Sequence, residues 1–322
     1  MNEQTASNAH YIDPQMKPIL ERMREKMASR AGVQVSPPEM RVRFLADMAV
    51  WNQNPVELPR VEDKTVPGAF GDVRVRLYDP VGGGTALPAI IYFHGGGWIV
   101  GNSDSVDAGL RLLAKLSGVA VLSVDYALAP EHKFPEPLED CIAVSRWLRG
   151  HAGAWGVDTE RLAIGGDSAG ANLALATLLA LRDSGENWLK FALLLYGAYA
   201  ADYVTQSHRD FGGVEYGVGT EGAKKFWSMY LRDEADRLNP LAAPLFAELG
   251  GLPPLYLVAA GLDPLRDDTR NLARRLAQAR VPHEVKEYSG VVHGFMSMVH
   301  RLDAAVEATK AAAEALRTAV YK

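Results

Sequence analysis

Arg161 to Arg182 reads RLAIGGDSAGANLALATLLALR, and three signals meet within it. Leu162, Ala163 and Ile164 form a short apolar run, as expected of a strand buried on both faces. From Ala169 to Arg182 the residues read as an apolar helix. Between the two, Gly166-Asp167-Ser168-Ala169-Gly170 spells G-x-S-x-G, so the chain turns sharply from strand to helix around a serine. Such a turn needs small neighbours because it holds the serine in a strained backbone conformation. It also sets Ser168 at a helix N-terminus, where positive partial charge favours a developing anion. Alone, the pentapeptide is weak. With 30 Gly among 322 residues, chance supplies it about one time in ten. A glycine-rich turn with an exposed serine is the plain alternative, so the surroundings decide.

Those surroundings repeat the rhythm. Buried-strand runs recur at Ala89 to Phe93, Val119 to Val124, Phe191 to Leu195 and Leu255 to Ala259. Val73, Val75 and Leu77 alternate with Arg74 and Arg76, the pattern of a half-exposed antiparallel strand after the period changes near Val61. Helical patterns lie between most of the strands, notably at Leu138 to Leu148 and Thr269 to Ala279. A short strand around Glu284 to Tyr288 and an Ala-rich helix over Leu302 to Ala319 close the chain. The class is α/β, with a mostly parallel central sheet of about eight strands covered by helices on both faces.

Two segments stand outside that rhythm. Asp13-Pro14 opens a first amphipathic helix, with Met16, Ile19, Leu20, Met23 and Met27 on one face, Pro18 as an alternative start and Ala31-Gly32 as its end. Ser36-Pro37 opens a second, with Met40, Phe44, Leu45, Met48 and Trp51 on its apolar side. More than fifty residues separate Tyr196 from Pro253, far more than a usual strand connection, with a helix expected at Thr220 to Leu231. The expected organisation is an N-terminal helical cap segment (1–55) and a catalytic domain (56–322), with a cap insertion within about 197–250.

Composition narrows the class. The chain is 48% hydrophobic and 23% charged, ordinary for a globular protein, and its net charge of −5 offers no basic stripe for nucleic acid or an anionic membrane. Cys141 is the single cysteine, so no intrachain disulfide can form, and it reads as a small apolar helix residue. The segment Met1 to His10 has no charged-then-apolar secretory pattern, and even Leu173 to Leu181 is too short to span a bilayer. A cytoplasmic protein without stable membrane insertion is the expectation; oligomeric state is left open, a homo-oligomer included.

The chemistry is concentrated just past the strand ends. His94-Gly95-Gly96-Gly97-Trp98 comes directly after Phe93, and consecutive glycines let backbone N–H groups approach an oxyanion. The N–H of Ala169, the residue after the serine, is the expected second half of that hole. A serine hydroxyl needs a base, and the base needs a third group to fix its tautomer. His293, in Val291-Val292-His293-Gly294-Phe295, comes after the last strand. Asp263 comes after the strand at Leu255 to Ala259, with Asp267 and Asp268 as rivals inside the next helix. No H-E-x-x-H, paired-cysteine or dinucleotide fingerprint competes, so neither metal nor cofactor is expected.

In order, His94-Gly95-Gly96-Gly97, Tyr126 to Pro135 (YALAPEHKFP), Gly166 to Gly170, Asp263-Pro264-Leu265 and His293-Gly294-Phe295 match one family. From about Leu77 to the C-terminus the chain resembles the hormone-sensitive-lipase-like esterases of the α/β-hydrolase fold, a group that includes acetyl esterases and arylacetamide deacetylase. The resemblance implies cofactor-free hydrolysis of short-to-medium acyl esters under a helical cap. It implies Ser168, Asp263 and His293 as catalytic residues and Gly96 and Gly97, with Ala169, as oxyanion donors. His94, Gly95 and Asp167 would support the motifs, and Glu131 and His132 would support the site without reacting. One position departs: Ala127 stands where the family commonly has an arginine that supports the loop beneath the active site. The same residues could act on an amide, lactone or carbonate, and the fold also serves small-molecule receptors.

Overall fold

The computed structural model describes residues 10–30 and 32–322. The leader reading of Met1 to His10 therefore falls largely outside the described residues, as does Ala31 at the end of the first helix.

Eight strands form one sheet: β1 (Arg60–Pro67), β2 (Asp72–Asp79), β3 (Leu87–Phe93), β4 (Ala120–Val124), β5 (Val157–Asp167), β6 (Leu189–Leu195), β7 (Leu255–Leu262) and β8 (His283–Val292). Their order is β1-β2-β4-β3-β5-β6-β7-β8. Only β1–β2 and β2–β4 pair antiparallel; every other neighbour is parallel. Burial explains the runs. In β3, Ala89, Ile91 and Phe93 face one apolar cluster while Ile90 and Tyr92 face the other, so both faces demand apolar side chains.

The helices are α1 (Met16–Ser29), α2 (Pro37–Met48), α3 (Asp107–Ser117), α4 (Glu136–His151), α5 (Ala169–Asp183), α6 (Gln206–Phe211), α7 (Thr220–Tyr230), α8 (Arg266–Gln278) and α9 (Asp303–Val320). Leu138 and Cys141 of α4, Leu175 of α5 and Leu272 of α8 fill the cluster on one sheet face. Leu110 and Leu113 of α3, Ala305 of α9 and Met16 of α1 fill the other. No helix among the described residues is long and apolar enough to cross a membrane.

The first helix begins at Met16, just after the Asp13-Pro14 start signal rather than at the alternative Pro18, because proline is tolerated in a helix's first turn. Two local expectations need correction. α1 divides its duty rather than serving as cover alone: Met16 and Leu20 are buried core, while Ile19, Met23 and Lys26 border the central cavity. The strand near Glu284 to Tyr288 is not short; β8 runs ten residues, its charged first half on the sheet edge and its apolar end buried.

Parallel register is what assembles the site. Phe93 pairs with Gly166 and Asp167 with Leu195, so β3, β5 and β6 end level with one another. Leu262 pairs with Val292, so the next residues of those two strands, Asp263 and His293, leave the sheet side by side.

Candidate active site

Ser168 succeeds β5 with φ +53° and ψ −119°, a conformation that side-chain-bearing residues rarely hold. Its backbone is pinned: Ser168 N–H donates to Leu195 O at 2.8 Å, and its carbonyl accepts from Asn172 N and Ala198 N. A Cβ at Gly170 would collide with the Phe93 carbonyl, so the helix can lie this close to β3 only with glycine there. The five-residue motif is thus a packing requirement as well as a turn.

His293 Nε2 lies 2.8 Å from Ser168 Oγ, and His293 Nδ1 lies 2.7 Å from Asp263 Oδ2. Asp263 is fully buried, and its other oxygen accepts from Leu265 N–H at 2.8 Å, which fixes the carboxylate plane. Burial works to lower the His293 pKa, but the charge and hydrogen bond of Asp263 outweigh it and leave the imidazole above its ordinary value. The rivals serve elsewhere. Asp267 accepts from Ser207 N–H and pairs with Arg270. Asp268 accepts from the N–H groups of Tyr199 and Ala200, and burial pushes its carboxyl up to about 8.

Opposite the serine lies the glycine loop. Gly96 and Gly97 both have positive φ, +124° and +60°, and a Cβ on Gly96 would strike the Val100 carbonyl. Among the described residues, the N–H groups of Gly96, Gly97 and Ala169 find no acceptor, and all three residues border one cavity with Ser168 and His293. Asp167 ties loop to serine turn: it accepts from Gly95 N–H at 2.9 Å and from Tyr92 Oη at 3.0 Å. Burial raises its carboxyl pKa. His94 stays out of the cavity, fully buried, stacked on Tyr126 and joined through Nδ1 to Gly95 O. Its pKa is lowered by burial, so a neutral ring donating to that carbonyl braces the loop.

The cavity has a volume of about 570 Å³. Trp51, Trp98 and Trp227 all border it, together with Phe44 of α2 and Phe226 of α7. Its lining also takes in Leu193 beneath the strand ends and Gly109, Leu113 and Ala312 on α3 and α9. Glu131 and His132 lie outside it, paired with Arg41 and Glu136. Cys141 is buried and its thiol pKa is pushed up by that burial, which leaves it inert.

Two participants escaped sequence reasoning. Tyr196 directly succeeds β6, holds φ +39°, and sets its ring edge-on to His293 with centroids 5.1 Å apart. Its position just past a strand end, shared with His94, Ser168, Asp263 and His293, is the available signal. Arg41 of α2 is the other: it donates to Ala129 O and pairs with Glu131, bringing a guanidinium to the loop where Ala127 offers none. No pattern in the sequence marks that contact.

A family model described as the alpha/beta hydrolase fold matches residues 90–297. An acetyl esterase of Salmonella paratyphi A is 35% identical over 294 residues, 87% of this chain and 89% of the relative. A hyperthermophilic esterase of the archaeon Pyrobaculum calidifontis has a solved structure at TM-score 0.90 and 35% identity, covering 96% of this chain and 98% of that one. The thermostable carboxylesterase EstE1, cloned from a metagenomic library, matches at TM-score 0.86 and 35% identity over 89% of this chain and 98% of its own. The chain therefore belongs to the α/β-hydrolase fold family, within its hormone-sensitive-lipase-like esterases.

Proposed function

We propose that this carboxylesterase cleaves small-molecule esters by two-step acyl transfer at Ser168. One observation carries the reading: an unbroken hydrogen-bonded line from Ser168 Oγ through His293 to Asp263, set in a cavity bordered by three backbone N–H groups without acceptors. Ser168 attacks the carbonyl carbon as His293 Nε2 takes its proton. The charge that develops on the carbonyl oxygen meets the N–H groups of Gly96, Gly97 and Ala169. Asp263 holds the Nδ1–H tautomer and stabilises the imidazolium. His293 then protonates the leaving alcohol, and a water molecule activated by the same ring releases the acid. The outer half of α1 with α2, and the insertion within about 197–250, serve as the cap over the catalytic unit, and Phe44, Trp51 and Phe226 border the cavity from that side.

His293 must be neutral to accept the proton. Its pKa is raised, so kcat/KM falls on acidification with a midpoint above the ordinary value of about 6.5. Hydrolysis of p-nitrophenyl acetate measured from pH 5 to 9 checks this. Activity that stays flat down to pH 5 would remove His293 from the role of base.

The lining residues Leu193, Gly109, Leu113 and Ala312 serve in this reading as an acyl-chain arm, which favours a medium-length unbranched chain over acetate alone. From the level of Ser168 to that of Leu193, which pairs with Gly165, the strand takes three steps, about 10 Å. Gly109 leaves that space open, since a Cβ there would meet only the Met296 carbonyl at 3.6 Å. Gly109→Leu is therefore expected to reduce kcat/KM for an octanoate ester at least tenfold more than for acetate. Equal losses across a series from acetate to laurate would take the arm out of the binding site.

A further inference from the structure

α2 carries two arginines with different duties. Arg43 pairs with Glu39 one turn away at 2.6 Å, an ordinary helix-surface ion pair. Arg41 points the other way, with its side chain 26% exposed, and uses its fork across three acceptors. Nε donates to Ile99 O at 2.9 Å, Nη2 donates to Ala129 O at 3.0 Å, and both terminal nitrogens reach the Glu131 carboxylate.

Those two carbonyls belong to the loops that shape the glycine pair. Ile99 N–H and Val100 N–H donate back to Gly96 O at 3.1 and 3.0 Å, which closes the turn that presents Gly96 and Gly97. Ala129 N–H donates to Trp98 O at 2.9 Å, which joins the second loop to the first. The turn is under strain: Gly96, Gly97 and Trp98 all have positive φ, and Trp98, at +64°, has a side chain to accommodate. Strain of that kind persists only where neighbours over-determine the conformation. Trp98 is held by stacking on Tyr230 at 4.3 Å, and the outer edge of the turn is held by Arg41.

We propose that Arg41 is a positioning residue that makes the oxyanion donors competent only while α2 is seated, so that cap docking and acyl transfer are coupled through one guanidinium. Lifting α2 to admit or release a ligand withdraws the support at Ile99 O and Ala129 O together, and the strained turn is then free to relax. Chemistry is thereby confined to the closed enzyme. The proposal rests on the reading of Ser168 as the nucleophile beside these donors, and failure of that reading has its own signature: Ser168→Ala would retain turnover. Lysine cannot substitute, because an ammonium lacks the planar fork that spans three acceptors.

The test is Arg41→Ala in the full chain, assayed with p-nitrophenyl acetate well below its melting temperature. A loop displaced by about an ångström costs up to about a hundredfold in rate, so kcat is expected to fall tenfold to a hundredfold with KM changed less than about threefold. The acid limb of the pH profile should not move, because the His293–Asp263 pair is untouched. Methylguanidinium should restore part of the lost kcat, and equimolar methylammonium should not. Arg41→Lys should remain low, and Glu131→Gln should cost less than about threefold, since it leaves both backbone contacts in place. Should Arg41→Ala fail to fold, Arg41→Gln is measured with the same expected signature. Unchanged kcat, a rise in KM alone, full activity in Arg41→Lys or equal rescue by the two cations would each overturn the proposal.

Discussion

Ser168→Ala is expected to lower kcat for p-nitrophenyl acetate by about 10⁶-fold while the protein still folds and melts near its parent temperature. The size reflects the unity of the site. Without Oγ there is no acyl-enzyme, and the base, its orienting carboxylate and the oxyanion donors lose the atom they act upon. What remains is modest catalysis from binding and polarised N–H groups. Folding is spared because the elbow is held through its backbone, from Ser168 N–H to Leu195 O and from Asn172 and Ala198 to Ser168 O. Turnover within tenfold of the parent would remove Ser168 from the chemistry.

The next largest effect belongs to Asp263→Asn, with an expected loss of about 10⁴-fold in kcat, roughly 5 kcal/mol of transition-state stabilisation. An amide keeps the shape but can donate to Nδ1, which turns the ring to the tautomer whose Nε2 carries a hydrogen and cannot accept one from serine. The acid limb should also shift to lower pH, because the charge that raises the His293 pKa is gone while burial still lowers it. Asp267→Asn is the control. Its carboxylate caps Ser207 and pairs with Arg270, away from His293, so turnover should stay within a few-fold. Equal losses in the two variants would reassign the acid.

Much of the candidate site is legible in the sequence because it lies on the most regular part of the fold. Buried parallel strands must be apolar throughout, so their ends are visible, and His94, Ser168, Asp263 and His293 each come directly after one. Choosing Asp263 over Asp267 and Asp268 needed only the distinction between a strand end and the first turn of α8. The edge was harder. β1, over Arg60–Pro67, carries charged residues on an exposed border and shows little apolar pattern, and α3, whose Gly109 borders the cavity, has no motif to mark it. Hardest were contacts that join distant segments. Arg41 reaches Ile99 across 58 residues and Glu131 across 90, and such pairings depend on how α2 lies over the loops rather than on local periodicity. Tyr92 Oη on Asp167, 75 residues apart, is of the same kind.

In the proposed reaction one serine, activated by one histidine, performs the acyl transfer. The most direct measurement is labelling of the native enzyme with a fluorophosphonate, with peptide mapping and residual turnover as the two readouts. One label per chain on Ser168, complete loss of activity in step with labelling, and no labelling of the His293→Ala variant on the same timescale are the predicted results. A label on another residue, or full turnover after Ser168 is modified, would contradict the account.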